Sequence, residues 1–139
     1  MTAKEAKESM FSGEETILVV DDEERIREIV KKTLTLHGYK VLTAMDGKEA
    51  VKIYKAQKGR IDLVILDVVM PKMSGYNACV KIKKYDPSAN ILISSGYMES
   101  KEAQLALKAG GDKFVEKPFH LQELLYAVRA NLNAAKTKK

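Results

Sequence analysis

The stretch Ile61-Asp62-Leu63-Val64-Ile65-Leu66-Asp67-Val68-Val69-Met70-Pro71 limits what this chain can fold into more than any other. It is a nearly continuous apolar run rich in β-branched residues, too short for a helix of ordinary length, and stopped by a proline. The pattern predicts a strand buried on both faces, as in the middle of a parallel sheet. Asp67 stands at its carboxyl end, and in open α/β sheets ligands bind outside that edge. An acid emerging there is either a capping group or a reactive carboxylate, and the strand alone does not decide between them.

Further strands and helices alternate around this run. Thr16–Val20 reads as a first buried strand, ending in Asp21-Asp22-Glu23-Glu24. Ile26, Ile29, Val30 and Leu34 then recur at helical spacing up to His37-Gly38, where glycine suits a left-handed C-terminal position. Tyr39–Thr43 is a short second strand. A second helix from Asp46-Gly47 turns Ala50, Val51, Ile53 and Tyr54 inward. Pro71 and Gly75 precede a third helix carrying Cys79, Val80 and Ile82. Asn90–Ser94 is a fourth strand, followed by the loop Ser95-Gly96-Tyr97. Ala103, Ala106 and Leu107 mark a fourth helix, with Leu105 directed elsewhere. Lys113–Val115 is a short fifth strand, and Leu121, Leu124, Leu125, Val128 and Leu132 form the apolar stripe of a fifth helix.

Strands alternating with helices of about three turns give a parallel sheet under the right-handed crossover rule. Five such units fit an α/β, flavodoxin-like, doubly wound five-stranded sheet of order 2-1-3-4-5 with helices on both faces. The expected organisation is a flexible leader over 1–15, one folded domain over 16–133, and a basic tail over 134–139 carrying Lys136, Lys138 and Lys139.

A chain of 139 residues predicts one domain with a substantial core. The single cysteine, Cys79, has no internal disulfide partner and fits a reducing cytoplasm. No apolar stretch approaches the roughly 20 residues of a membrane span, and Met1–Ser9 is too polar for a signal peptide. The net charge of +5 is modest and partly terminal. Other basic residues read as interleaved with acids along helix faces, without an arginine cluster, interleaved aromatics or a recognition helix. The expectation is no direct nucleic-acid binding and no membrane association.

The strand order places the first and third strands side by side, so Asp21, Asp22 and Asp67 meet at one cleft. Two carboxylates about 4 Å apart repel by about 4 kcal/mol at an effective dielectric near 20. Protonation, a cation or both must relieve this. The donor set is oxygen only, which favours a hard, partly hydrated ion such as Mg²⁺ (or Mn²⁺), with a backbone carbonyl after Asp67 as a further ligand. Ser95 and Lys117 follow strands four and five and reach the same edge. An oxyanion held between the ion, Ser95 and Lys117 beside Asp67 describes a site for in-line phosphoryl transfer, with Asp67 as nucleophile. Each element separately has a plainer reading: Asp21 and Asp22 as helix caps, Ser95-Gly96 as a turn, Lys117-Pro118 as a surface bend. Their arrival at four strand ends on one edge favours the chemical reading.

Ile17-Leu18-Val19-Val20-Asp21-Asp22-Glu23, Asp67-Val68-Val69-Met70-Pro71, Ser95-Gly96 and Lys117-Pro118-Phe119 together resemble the receiver domain of two-component response regulators. The resemblance covers about Glu15 to Leu132. It implies that Asp67 is the phosphoacceptor and that Asp21, Asp22, Asp67 and the Val69 carbonyl hold Mg²⁺. It also implies that Ser95 and Lys117 contact the phosphoryl group. The switch aromatic of that family corresponds to Phe114, which lacks the hydroxyl of the more usual tyrosine, so a packing readout is expected. Gly111 stands where alanine is common.

By the same resemblance the chain is a signalling switch rather than an enzyme in the ordinary sense. Its partners are a histidine kinase or phosphotransfer protein that donates from a phosphohistidine, and an unknown downstream protein. Phosphorylation would change the face formed by helix four, strand five and helix five, where Leu105, Tyr97 and Tyr126 are candidates. A phosphorylation-linked homodimer is left open. Val69 and Tyr97 border the water route, and neither orients an attacking water, so slow self-dephosphorylation is expected. With only Asn133–Lys139 after the fifth helix, no effector segment is expected on this sequence, which suits a stand-alone receiver or one taken from a hybrid kinase. Two other classes remain: a receiver-fold interaction module that does not use phosphorylation, and a haloacid-dehalogenase-type phosphatase. The second wants its nucleophile after the first strand, with another acid two residues on.

Overall fold

The computed structural model describes residues 2, 11–68, 75–95, 101–109, 113–117 and 120–137, without the side chains of 102, 103, 113–116 and 137. In chain order the elements are β1 (Thr16–Val20), α1 (Glu24–Leu36), β2 (Lys40–Ala44), α2 (Gly47–Ala56) and β3 (Leu63–Asp67), then α3 (Gly75–Tyr85), β4 (Ile91–Ser95), α4 (Lys101–Lys108), β5 (Lys113–Glu116) and α5 (Leu121–Thr137). All neighbouring strands pair parallel, in the order β2-β1-β3-β4-β5. This is the doubly wound arrangement that the alternating pattern predicts. Among the described residues no helix is long and apolar enough to cross a membrane.

Strand side chains alternate between two cores because successive Cβ atoms point to opposite faces. Leu18, Val20, Val64, Leu66, Ile91 and Ile93 pack with α2, α3 and α4 through Ala50, Tyr54, Ala78, Cys79, Ile82 and Ala106. Ile17, Val19, Leu63, Ile65 and Leu92 pack with α1 and α5 through Val30, Leu34, Leu124, Leu125, Val128 and Leu132. Each fully buried aliphatic side chain contributes about 1.5–3 kcal/mol relative to exposure. The central strands, apolar on both faces, are therefore held from both sides, and their polar ends are fixed at one edge.

Some helix positions differ from the sequence reading. Ile29 is 51% exposed, because the inward stripe of α1 runs through Ile26, Val30 and Leu34, and Ile29 lies about 100° round the helix from Val30. Val80 is likewise exposed, while Cys79 and Ile82 are buried. Gly38 closes α1 with φ +98°, as expected of a left-handed stop.

The two ends of the folded unit also run past their expected limits. α5 continues through Thr137, so 134–137 extend the last helix instead of beginning a tail. Phe11 packs against the α1–α5 core, and its carbonyl accepts from the Tyr39 hydroxyl at 3.1 Å. Glu15 accepts from Arg129 at 2.5 and 3.1 Å, and Lys136 lies 3.2 Å away. The Arg129 hydrogen bonds outweigh the cost of burying the carboxylate and lower its pKa to about 2. Chain positions 11–15, read as leader, are thus tied to α5. The reason is a partner 114 positions away, which no local pattern reveals.

Candidate functional site

The carboxyl edge of the sheet gathers the chemistry. β1 ends at Val20, which pairs with Leu66, so Asp21 and Asp22 leave the sheet beside Asp67. β3 and β4 keep Asp67 level with Ser94, and β4 and β5 keep Ser95 level with Glu116. The Lys117 amide donates to the Ser95 carbonyl at 2.7 Å, which fixes where the lysine departs.

Asp21, Asp22 and Asp67 each bring a carboxylate oxygen within 4.8 Å of the others. Asp21 and Asp67 are buried, at 3% and 6% exposure, whereas Asp22 faces solvent. Lys117 Nζ lies 2.5 Å from Asp21 Oδ2 and 3.5 Å from Asp67 Oδ2. Burial alone would lower the Lys117 pKa. The hydrogen bond to Asp21 and the charge of Asp67 outweigh it and raise the pKa above the ordinary lysine value. The lysine is therefore a permanent cation at neutral pH.

One ammonium against three carboxylates leaves the cluster acidic. The remaining charge, the all-oxygen donors and their separation suit a small hard cation. The three oxygens, all within 4.8 Å of one another, could converge on one Mg²⁺ ion after side-chain adjustment. Among the described residues no histidine or cysteine joins the cluster, which argues against a softer metal.

Local structure supports these side chains in ways the sequence did not announce. Asp21 Oδ1 accepts from the Glu23 amide at 3.0 Å, so this acid orders the turn into α1 as well as holding Lys117. The formal cap of α1 is Glu23, which makes no side-chain capping bond, so the helix-cap reading of Asp21 is only half of its role. Arg27 donates to the Asp21 carbonyl at 2.7 Å and pins the backbone beneath it. Gly75 donates its amide to the Val68 carbonyl at 3.1 Å. A Cβ on Gly75 would overlap the Val68 Cα and the Asp67 carbonyl, so a side chain there would push β3 and α3 apart. Gly75 is legible in sequence only as a chain breaker, and Arg27 carries no signal at all.

Of the residues singled out in the sequence, Asp21, Asp22, Asp67 and Lys117 are brought together. Ser95 ends β4 at the same edge and is almost completely buried. Phe114 pairs with Ile93 in β5, and its side chain lies outside the described residues. Val69, Tyr97 and Gly111 also lie outside them. Leu105 on α4 is half-buried, and Tyr126 on α5 is 67% exposed.

A parallel 2-1-3-4-5 sheet with an acid cluster and a lysine at its carboxyl edge defines a doubly wound α/β domain whose charged groups gather where such sheets bind ligands. The response regulator receiver domain family matches residues 17–129, and the chain belongs to that family. A probable transcriptional regulator ycf27 of Porphyra purpurea is 40% identical over 126 residues, covering 91% of this chain and 51% of that protein. The chain thus spans about half the length of the curated relatives it matches. The receiver domain of a Clostridium thermocellum response regulator superposes with a TM-score of 0.83 at 35% identity, covering 90% of this chain and 99% of that one. Response regulator TrrA of Thermotoga maritima, solved in complex with Mg²⁺-BeF, gives 0.75 at 38% identity, covering 84% and 98%.

Proposed function

We propose that this receiver domain is a phosphorylation switch that takes a phosphoryl group onto Asp67 from the phosphohistidine of a kinase or phosphotransfer protein. The observation that carries the reading is the meeting of Asp21, Asp22 and Asp67 around one edge, with Lys117 already seated between two of them. A carboxylate oxygen of Asp67 forms the new bond to phosphorus. The bond from phosphorus to the donor imidazole nitrogen breaks, and its electron pair stays on the imidazole, which takes up a proton.

Asp21, Asp22, Asp67 and the Val69 carbonyl hold Mg²⁺ in this reading, and Mn²⁺ would serve the same ligands. When bound, the ion supplies charge neutralisation for the acids and for the phosphoryl oxygens. The Mg²⁺-BeF complex of TrrA supports the assignment by relationship. Lys117 offers a fixed ammonium to the incoming phosphoryl oxygens, and Ser95 offers a hydroxyl from the neighbouring strand end. The aspartyl phosphate adds charge and acceptor oxygens that draw Ser95 and Lys117 toward Asp67. That shift repacks Phe114 and changes the face of α4, β5 and α5 that a downstream protein reads. Self-dephosphorylation is slow, because neither Val69 nor Tyr97 has a carboxylate or amide to orient water.

Incubation with acetyl phosphate, followed by intact mass measurement, tests the proposal. One phosphoryl adduct is expected with Mg²⁺, and none with EDTA or in Asp67→Asn. An adduct that forms equally in Asp67→Asn would overturn it.

A further inference from the structure

The positive charge of this chain is concentrated on one face. Residues 47–60 and 75–86, which cover α2, α3 and the turn after α2, hold eight basic and two acidic side chains, against a net charge of +5 for the whole chain. The interleaving of charges expected from the sequence therefore describes α1 but not these two helices. Lys48, Lys52 and Lys55 recur at i, i+4, i+7 along α2, and all three are exposed. Lys81 and Lys84 lie exposed on α3, which packs beside α2, and Lys58 and Arg60 follow in the turn. None of these seven cations has a carboxylate within ion-pair distance among the described residues. The two acids, Glu49 and Asp86, are half-buried, and Asp86 is engaged by Tyr54 and Ser88.

Two exposed apolar groups sit among the lysines. Val80 shares the outward face of α3 with Lys81 and Lys84, and Tyr85 is 47% exposed where α3 meets α2. The Tyr85 ring is already held, edge-on to Tyr54 at 6.4 Å between centroids and with Lys55 Nζ 5.7 Å from its own centroid. An anchor fixed before binding loses little conformational freedom on binding. Lysines near the ends of α2 and α3 also offset the helix dipoles, but Lys48, Lys52 and Lys81 lie outside the last turns and have no such purpose.

We propose that the α2–α3 face docks an acidic segment of a partner protein, with carboxylates on the lysine stripes and an apolar side chain over Val80 and Tyr85. An apolar centre with a charged rim is the anatomy of a protein interface. Nucleic acid is the less fitting polyanion here. Six of the seven exposed cations are lysines without the planar fork that grips phosphate, and one face of the Tyr85 ring, on which a base would stack, lies under Lys55 Nζ.

The test uses fluorescence anisotropy with a labelled glutamate-rich peptide carrying one central leucine, beside a DNA duplex and phosphatidylserine vesicles. The intact chain should bind the peptide more tightly than either alternative, and added salt should weaken the binding. The variant K52Q/K55Q/K81Q/K84Q should bind the peptide about tenfold more weakly. Circular dichroism and acetyl phosphate labelling should be the same in the variant as in the parent, which separates this surface from the phosphorylation site. Undiminished peptide binding by the variant, salt-independent binding, or preference for the duplex or the vesicles would each overturn the proposal.

Discussion

Lys117 is shared unequally, with Nζ 2.5 Å from Asp21 Oδ2 and 3.5 Å from Asp67 Oδ2. The lysine that the proposal assigns to the phosphoryl group is thus held mainly by an acid from another strand end. Its pull toward Asp67 leaves it within a short motion of an incoming oxyanion.

This relationship predicts the behaviour of Lys117→Met. Without the ammonium, the three carboxylates lose the cation that offsets their mutual repulsion, and the folded state should lose about 1–3 kcal/mol in urea unfolding at neutral pH without divalent ions. Mg²⁺ should raise the midpoint of the variant more than that of the parent. No shift with Mg²⁺ in either protein would mean that the ion does not sit among these acids.

Gly75→Ala places a methyl group against the Val68 Cα and the Asp67 carbonyl. Either α3 moves out or the end of β3 shifts, at a cost of about 1–3 kcal/mol. Because the strain falls on the residue beside Asp67, acetyl phosphate labelling should slow along with the loss of stability. A variant that unfolds earlier but is labelled at the parent rate would show that Gly75 supports the helix alone.

Glu15 gives a pH dependence whose sign follows from its lowered pKa. The group has a folded pKa of about 2 against an ordinary value of 4.5. Its stabilisation is therefore fully present above pH 4.5 and is lost as pH falls from there toward 2. Glu15→Gln should cost on the order of 1–3 kcal/mol at pH 7, with the difference from the parent shrinking over that window. Chemical unfolding of both forms from pH 7 to pH 2 measures it, and a difference that stays constant would contradict the Arg129 clasp.

The strand order and the identity of the acids were readable because both rest on short-range patterns. Apolar runs of five residues broken by helical stripes give five βα units that fit the 2-1-3-4-5 order, and that order carries Asp21, Asp22 and Asp67 to one edge. Features that depend on distant partners were not readable. Arg129 reaches Glu15 across most of the chain, Arg27 acts through a backbone carbonyl, and Gly75 matters for what lies behind it. Ile29 shows a related limit, since helical spacing gives a stripe but not its edge. The basic face emerges only when α2 and α3 are seen side by side, because each helix by itself looks like an ordinary solvated surface.

The central claim is that acids gathered around a divalent ion make one aspartyl side chain a phosphoryl acceptor. Borohydride reduction of the acetyl phosphate-treated protein, followed by peptide mass spectrometry, reads it most directly, since an aspartyl phosphate is converted to homoserine. The account predicts homoserine at position 67 alone, and only when Mg²⁺ is present. Homoserine at another acid, or at position 67 in undiminished amount with EDTA, would contradict it.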